Sequence, residues 1–419
     1  MSARPQMNLT PPEDLPSALA AEGDPMPGVC ARRLLMVVAL LVVFGLTMLY
    51  STSYNVVGTK HFKFQLIWVI LGTCAAFAVY FVGYRRIAAG RWFWIGIVAA
   101  MLIAARLFFP PINGAYRWIK VPIPGFPFSI QPSEFAKLAV ALFAARYCSD
   151  NLRTFNDLKR WRGGILELGA AVAPVLGLIL LGHDLGTTLL AALTVWAILT
   201  AAGLRWLYQA IPLAGLALGS VYIFFCDSMR LGRVLSFLDP ERYAQTIGYQ
   251  LWNSLLALGS GGWFGIGFME SRIKQLYLPE SHTDFILAIV GEELGLAALL
   301  AVVIAYACWA WNALKISLSA NFRLGMLLGF GLTMMISCQA LINMAVISGS
   351  IPTKGMPAPF ISYGGSNMIV SMITVGLLIS IAEETVNPGY SDRYTAWLSG
   401  FAARFRRHEN RSTTTKQQE

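Results

Sequence analysis

Ionisable side chains set into apolar runs mark where this sequence can do chemistry, since each costs roughly 2.5–3.5 kcal/mol to place in a bilayer. Asp284, Glu292 and Glu293 share one such run. Glu134 and Lys137 stand one turn apart at the start of another, after Gln131-Pro132-Ser133. Asp184 opens a third, in Gly182-His183-Asp184-Leu185-Gly186-Thr187-Thr188. Asp284 also ends a polar stretch, Tyr277-Leu278-Pro279-Glu280-Ser281-His282-Thr283, and the chain before it brings Arg230, Arg233, Arg242, Arg272 and Lys274 to the same side. One acid beside a basic loop suits an anionic ligand: Arg and Lys hold phosphate oxygens while the carboxylate takes a proton from an attacking hydroxyl. An aspartate of ordinary pKa, about 3.9, is a weak base, so partial desolvation would help it. Each acid also has a plain structural reading. Asp284 and Asp184 suit helix N-caps, and Glu134 with Lys137 suits an internal ion pair.

The elements that must position these groups are helices. Read as a helix from Asp284, positions 284, 287, 288, 291, 292 and 295 share a small, acidic face. Phe285, Ile286, Ile289, Val290 and Leu294 make the other face, expected against lipid. Glu292 falls about 12 Å deeper than Asp284, a depth that suits helix packing for it and Glu293. Apolar runs of spanning length cover about 34–51, 64–82, 92–109, 133–147, 165–182, 186–203, 207–226, 284–310, 323–347 and 367–384. The expectation is an all-α polytopic membrane protein of about ten spans, with a large extracytoplasmic loop, 227–283, between helices seven and eight. Residues 1–33 read as a Pro-rich disordered tail and 385–419 as a basic tail, in which Tyr394, Trp397, Leu398, Phe401 and Phe405 fall at helical spacing suited to the inner leaflet.

Basic residues concentrate in the short segments 83–91 and 148–164, which places those segments and both termini in the cytoplasm. The net charge of +10 is mostly this topological signal and gives no reason to expect nucleic acid. A chain with 56% hydrophobic and 13% charged residues cannot cover a water-soluble surface. Cys30, Cys74, Cys148, Cys226, Cys308 and Cys338 have no paired spacing, so neither disulfides nor a cysteine metal site is expected. The elaborated side faces outward, with 110–131, 227–283 and a Gly- and Pro-dense stretch, 348–366. An acid among cations on that side fits glycosyl transfer from a lipid-linked pyrophosphate, and it fits transport of the same lipid. The residues alone do not separate the two.

Ordered motifs add a resemblance. Arg230, Arg233, Phe237 and Pro240 lead into Gly248-Tyr249-Gln250, Ser254, Gly261-Gly262, Gly265, Gly267, Ser271, Lys274, Tyr277-Leu278-Pro279, His282, Asp284-Phe285, Glu292-Glu293 and Gly295. Asn113-Gly114 and Arg117-Trp118-Ile119 precede them; Gln339, Asn343-Met344, Pro352-Thr353-Lys354-Gly355 and Pro359-Phe360-Ile361-Ser362-Tyr363-Gly364-Gly365-Ser366 follow. Over about residues 34–384 the chain resembles the SEDS family (shape, elongation, division and sporulation), the group of FtsW, RodA and SpoVE. Pro352-Thr353-Lys354-Gly355 is more similar to the division branch than to the elongation branch.

The resemblance implies an inverting peptidoglycan glycosyltransferase that polymerises lipid II at the outer face of the inner membrane, at the division septum. Lipid II is the acceptor through its GlcNAc 4-hydroxyl, and the nascent glycan strand is the donor. A class B penicillin-binding protein of the FtsI type and other divisome membrane proteins are the implied partners. The family's essential aspartate falls on Asp284. Around the substrate it implies Arg117, Arg230, Arg233, Gln250, Lys274, His282, Lys354, Ser362 and Tyr363, supported by Glu134, Lys137, Asp184, Glu292 and Glu293. No cofactor is assigned; a divalent cation, Mg or Mn, stays open. Lipid II flipping and elongation-type polymerisation are the alternative readings. Gly182-His183 departs from the family pattern, which has Gln or Glu and then Pro before the aspartate, and this frees the backbone there.

Overall fold

The computed structural model describes residues 26–390 apart from 112–114, 124–125, 153, 155–161, 207, 211–227 and 275–281. Most of the expected span 207–226 and most of both tails lie outside the described residues.

Long apolar runs give long helices. α1 (Met26–Val57) and α2 (Lys60–Val82) form a hairpin, followed by the short α3 (Tyr84–Ala89) and α4 (Arg91–Phe108). An antiparallel ribbon, β1 (Ile119–Ile123) with β2 (Phe126–Ile130), then places Ile119 opposite Ile130. This ribbon occupies the stretch expected to be a Pro-rich loop. α5 (Pro132–Asp150), α6 (Ile165–Leu181) and α7 (Leu185–Ala201) follow. The large loop contains two further helices, α8 (Ser228–Leu238) and α9 (Tyr249–Gly261), before α10 (Ile286–Leu318), α11 (Arg323–Ile347) and α12 (Gly365–Val386). Among the described residues, six helices are long and apolar enough to cross a membrane: α1, α2, α4, α10, α11 and α12. The helical, polytopic reading therefore holds.

The core runs through α5, which is buried along almost its whole length, and through α7, α11 and α12 packed around it. Leu35, Met36, Leu40 and Val43 on α1, Ile70 and Phe77 on α2, and Trp92, Phe93 and Leu107 on α4 are exposed, as lipid-facing side chains are.

α10 corrects the expected lipid face. Phe285, Ile286, Ile289 and Val290 are buried, because α1, α9 and α11 surround the first turns. The helix has 33 residues, about 50 Å at 1.5 Å per residue, and so exceeds a hydrocarbon core of about 30 Å. It is broken at Gly295, whose φ of 76° and ψ of −175° are not helical. A Cβ at this position would lie 2.4 Å from Gly265 N and 2.5 Å from the Trp263 carbonyl, so only glycine fits. The loop segment repairs the break. Ile266 and Gly267 N–H groups donate to the carbonyls of Glu292 and Glu293 at 3.0 and 3.1 Å, and Leu296 and Ala297 N–H groups donate to Gly262 and Trp263 at 2.9 and 3.1 Å. Four backbone bonds across the kink thus stand in for ladder bonds lost there, which is the condition for non-helical backbone near lipid. Trp263 and Phe264 stay exposed beside it.

Candidate active site

Asp284 lies in a turn just before α10, whose N-cap is Phe285 with no side-chain cap, so the aspartate is not the cap the sequence suggested. It is half-buried, and three segments meet there. Asn343 of α11 donates from Nδ2 to the Asp284 carbonyl at 2.8 Å and to the Met356 carbonyl at 2.7 Å. The neighbouring Gly355 passes so close that a Cβ on it would sit 3.0 Å from Asp284 Oδ2. The Tyr363 N–H donates to the His282 carbonyl at 3.0 Å, and the His61 ring lies 4.6 Å from His282 and 4.7 Å from Tyr363, centroid to centroid. The loop before α12 thus closes over Asp284 with His282, Tyr363 and the newly recruited His61 at its edge. Burial pushes the Tyr363 phenol above its ordinary pKa.

Lys354, one residue before Gly355, turns the other way. Its Cε packs over Gly186, where an added Cβ would lie 3.1 Å away. Burial lowers its pKa to about 8, and the nearby Asp184 carboxylate opposes that shift. Asp184 has few lone pairs to spare. It accepts from Gln131 Nε2 at 3.0 Å, Ser133 Oγ at 2.8 Å, Thr187 Oγ1 at 2.9 Å and Thr187 N at 3.2 Å, the last as N-cap of α7. Lys354 is therefore a largely desolvated cation whose neighbouring acid is already occupied, a good receptor for an incoming anion.

The turn before Asp184 explains what replaces the missing proline. His183 has φ of 64°, its N–H donates to Leu180 at 2.9 Å, and the Asp184 N–H reaches Ile179 at 3.3 Å. These are the two bonds of a Schellman motif with His183 at the left-handed position. The backbone is locked there, not freed. Arg117 Nη2 donates to the His183 carbonyl at 2.5 Å, which fixes that cation beside the same turn. Proline at 183 cannot reach this φ and has no N–H. His183→Pro is expected to cost about 2–4 kcal/mol in thermal unfolding, from a forced dihedral and a lost hydrogen bond.

Other expected substrate contacts move to structural duty. Lys274 is buried, with Nζ 2.6 Å from Glu293 Oε1 and 3.1 Å from Ser51 Oγ, so it cannot face a substrate phosphate. Ser51 also donates to Glu293. Glu292 accepts from Ser271 Oγ, and from the N–H groups of Arg272 and Ile273 at 3.1 and 3.4 Å. Together the two glutamates bolt the end of the large loop to α10. Ser362 is closed within its own turn, its Oγ accepting from the Ala358 N–H at 2.9 Å. Glu134 and Lys137 form a buried ion pair at 2.7 Å, and Lys137 Nζ also donates to Gln339 Oε1 at 2.5 Å. Arg233 is exposed on α8 and Gln250 half-buried on α9. The Arg230 side chain and Tyr277-Leu278-Pro279 lie outside the described residues. No group of three or more His, Cys, Asp or Glu able to hold a metal occurs among the described residues.

Sequence reasoning missed roles for Asn343, Gly355, His61 and Ser51. An amide in the middle of an apolar span was the available signal for Asn343; Ser51 and His61 carried none.

Comparison with known proteins agrees with this architecture. Residues 31–387 match the cell cycle protein family of FtsW, RodA and SpoVE. A probable peptidoglycan glycosyltransferase FtsW of Trichlorobacter lovleyi is 34% identical over 83% of this chain and 92% of its own. The corresponding protein of Geobacter metallireducens is 36% identical over 83% and 93%. Among solved structures, a chain of a peptidoglycan synthase complex that coordinates polymerization and crosslinking superposes with a TM-score of 0.70 at 26% identity, covering 84% of this chain and 98% of that one. The rod shape determining protein RodA of Thermus thermophilus shares the fold, with a TM-score of 0.62 at 24% identity over 84% and 96%. The chain belongs to the FtsW/RodA/SpoVE family of cell cycle proteins.

Proposed function

We propose that this protein is a peptidoglycan glycosyltransferase that polymerises lipid II at the division septum, with Asp284 as general base. The observation that carries the reading is a half-buried carboxylate pressed against Gly355, with the desolvated cation Lys354 on the adjacent residue. Asp284 takes the proton of the acceptor sugar hydroxyl as its oxygen attacks the donor anomeric carbon. The bond from that carbon to the lipid pyrophosphate breaks, and the electron pair leaves with the phosphate oxygen. Lys354, with Arg117 on the neighbouring turn, receives the growing negative charge. Attack opposite the leaving group inverts the anomeric centre. Strand synthesis is paired with crosslinking by a class B penicillin-binding protein, a reading supported by the likeness to a chain of a synthase complex.

The test is purified protein with its transpeptidase and lipid II in detergent, where no second leaflet exists. Glycan strands are the expected product; their absence while the transpeptidase is active would point to lipid transport instead.

The Lys354 ammonium gives a pH signature. Between its folded pKa of about 8 and the ordinary lysine value of about 10.4, the unfolded chain binds more protons, so stability rises with pH across that window. Anion binding changes in the opposite sense, because the folded ammonium discharges there. The apparent KM for lipid II is expected to rise above about pH 8 in the wild type and to stay flat in Lys354→Arg, whose charge persists.

A further inference from the structure

Asn343 is fully buried on α11, and one side-chain amide serves two different segments. Its Nδ2 donates to the carbonyl of Asp284, before α10, and to the carbonyl of Met356, in the loop before α12. Its Oδ1 is buried with no hydrogen-bond partner among the described residues. A flipped amide would face both carbonyls with oxygen, so the two acceptors fix its orientation and the orphaned Oδ1 follows from it. A buried acceptor left empty is unfavourable, and its presence indicates that the two donated bonds matter. One turn earlier on the same helix, Gln339 Nε2 donates to the Pro357 carbonyl at 2.8 Å and to Asn367 Oδ1 at 2.9 Å. Two amides thus hold consecutive carbonyls of the loop, but of these only Asn343 also reaches the Asp284 turn.

We propose that Asn343 is a positioning residue for glycosyl transfer, a clamp that sets the Asp284 carboxylate against Gly355 and so fixes its separation from Lys354. This rests on the reading of Asp284 as the base. The bond goes to the Asp284 backbone, so Asn343 acts on the orientation of the carboxylate and does not itself touch the reacting atoms. Releasing either bond lets the turn and the loop move apart. A displacement of about 1 Å at a reacting group costs about 10²-fold in rate.

Asn343→Leu tests it, since leucine keeps the branched outline of the side chain, at somewhat greater volume, while removing both donors and the orphaned acceptor. The clamp predicts kcat for lipid II polymerisation lower by about 10²-fold with KM within about threefold, in protein that still folds but at a lower thermal midpoint, since two carbonyls lose their donor. Gly355→Ala displaces the same carboxylate by contact, so the two losses should overlap: the double variant should be no slower than the slower single variant. A kcat within about twofold of wild type, or losses that multiply in the double variant, would overturn the proposal. If Asn343→Leu does not fold, Asn343→Ala removes the same donors without added bulk and is read in the same way. Asp284→Asn run alongside separates the two ideas. An inactive Asp284→Asn with a fast Asn343→Leu removes the clamp and leaves the base; an active Asp284→Asn removes the base itself.

Discussion

Asp284→Asn is expected to lower strand synthesis by about 10²–10⁴-fold while leaving lipid II binding nearly unchanged. The substitution is isosteric, and the bond from Asn343 goes to the backbone carbonyl, so the turn keeps its anchor. The contact with Gly355 also survives, because the amide occupies the same volume as the carboxylate. The negative charge and the capacity to accept a proton are lost. The outcome should appear as a fall in kcat with a steady KM, the pattern of an interaction made in the transition state alone. Asp284→Glu is informative in a different way. The charge remains, but an extra methylene must fit where a single added Cβ on Gly355 would already stand 3.0 Å from the oxygen. It too should be slow, for reasons of space. Gel separation of glycan strands made from lipid II by the purified pair of enzymes measures both variants, and wild-type synthesis by Asp284→Asn would end the base assignment.

The second large effect concerns stability. Lys274→Met leaves the Glu293 carboxylate buried and without its cation, and breaking a buried pair from one side costs about 3–5 kcal/mol. The loss should fall at the lower end of that range, because the Ser51 hydroxyl, 2.7 and 2.6 Å from the two carboxylate oxygens, still donates its one hydrogen to the carboxylate. Thermal unfolding in detergent should show a large drop for Lys274→Met and recovery on adding Glu293→Gln, since a neutral pair carries no stranded charge. If Lys274 instead held substrate, the single variant would keep its midpoint and raise KM.

Much of the architecture was legible because bilayer length and backbone satisfaction leave few options for long apolar runs. The spans around α1, α2, α4, α10, α11 and α12 follow from that alone. The Asp284 turn was legible as a place where an acid meets a basic loop. Counting cations could not reveal which of them is spent internally. Lys274 looks like Arg233 in sequence, yet one is sealed against Glu293 and the other is exposed. The helical face drawn from Asp284 failed because α1, α9 and α11 pack around α10 and bury the side expected against lipid. The break at Gly295, matched by bonds from residues 262–267, was equally out of reach, since it is a long-range contact that no periodicity contains.

The glutamate pair on α10 also bears on how the chain is made. Two carboxylates in one apolar helix are a burden for membrane insertion, roughly 2.5–3.5 kcal/mol each for groups of this kind. All the partners described for them are synthesised earlier. Ser51 belongs to the first helix, and Ser271, Arg272, Ile273 and Lys274 emerge from the ribosome shortly before Glu292 and Glu293. A cation for Glu293 and hydrogen-bond donors for Glu292 are thus available as soon as α10 leaves the translocon, without waiting for α11 or α12. Moving Lys274 to the C-terminal side of α10 would preserve the charge balance but reverse that order.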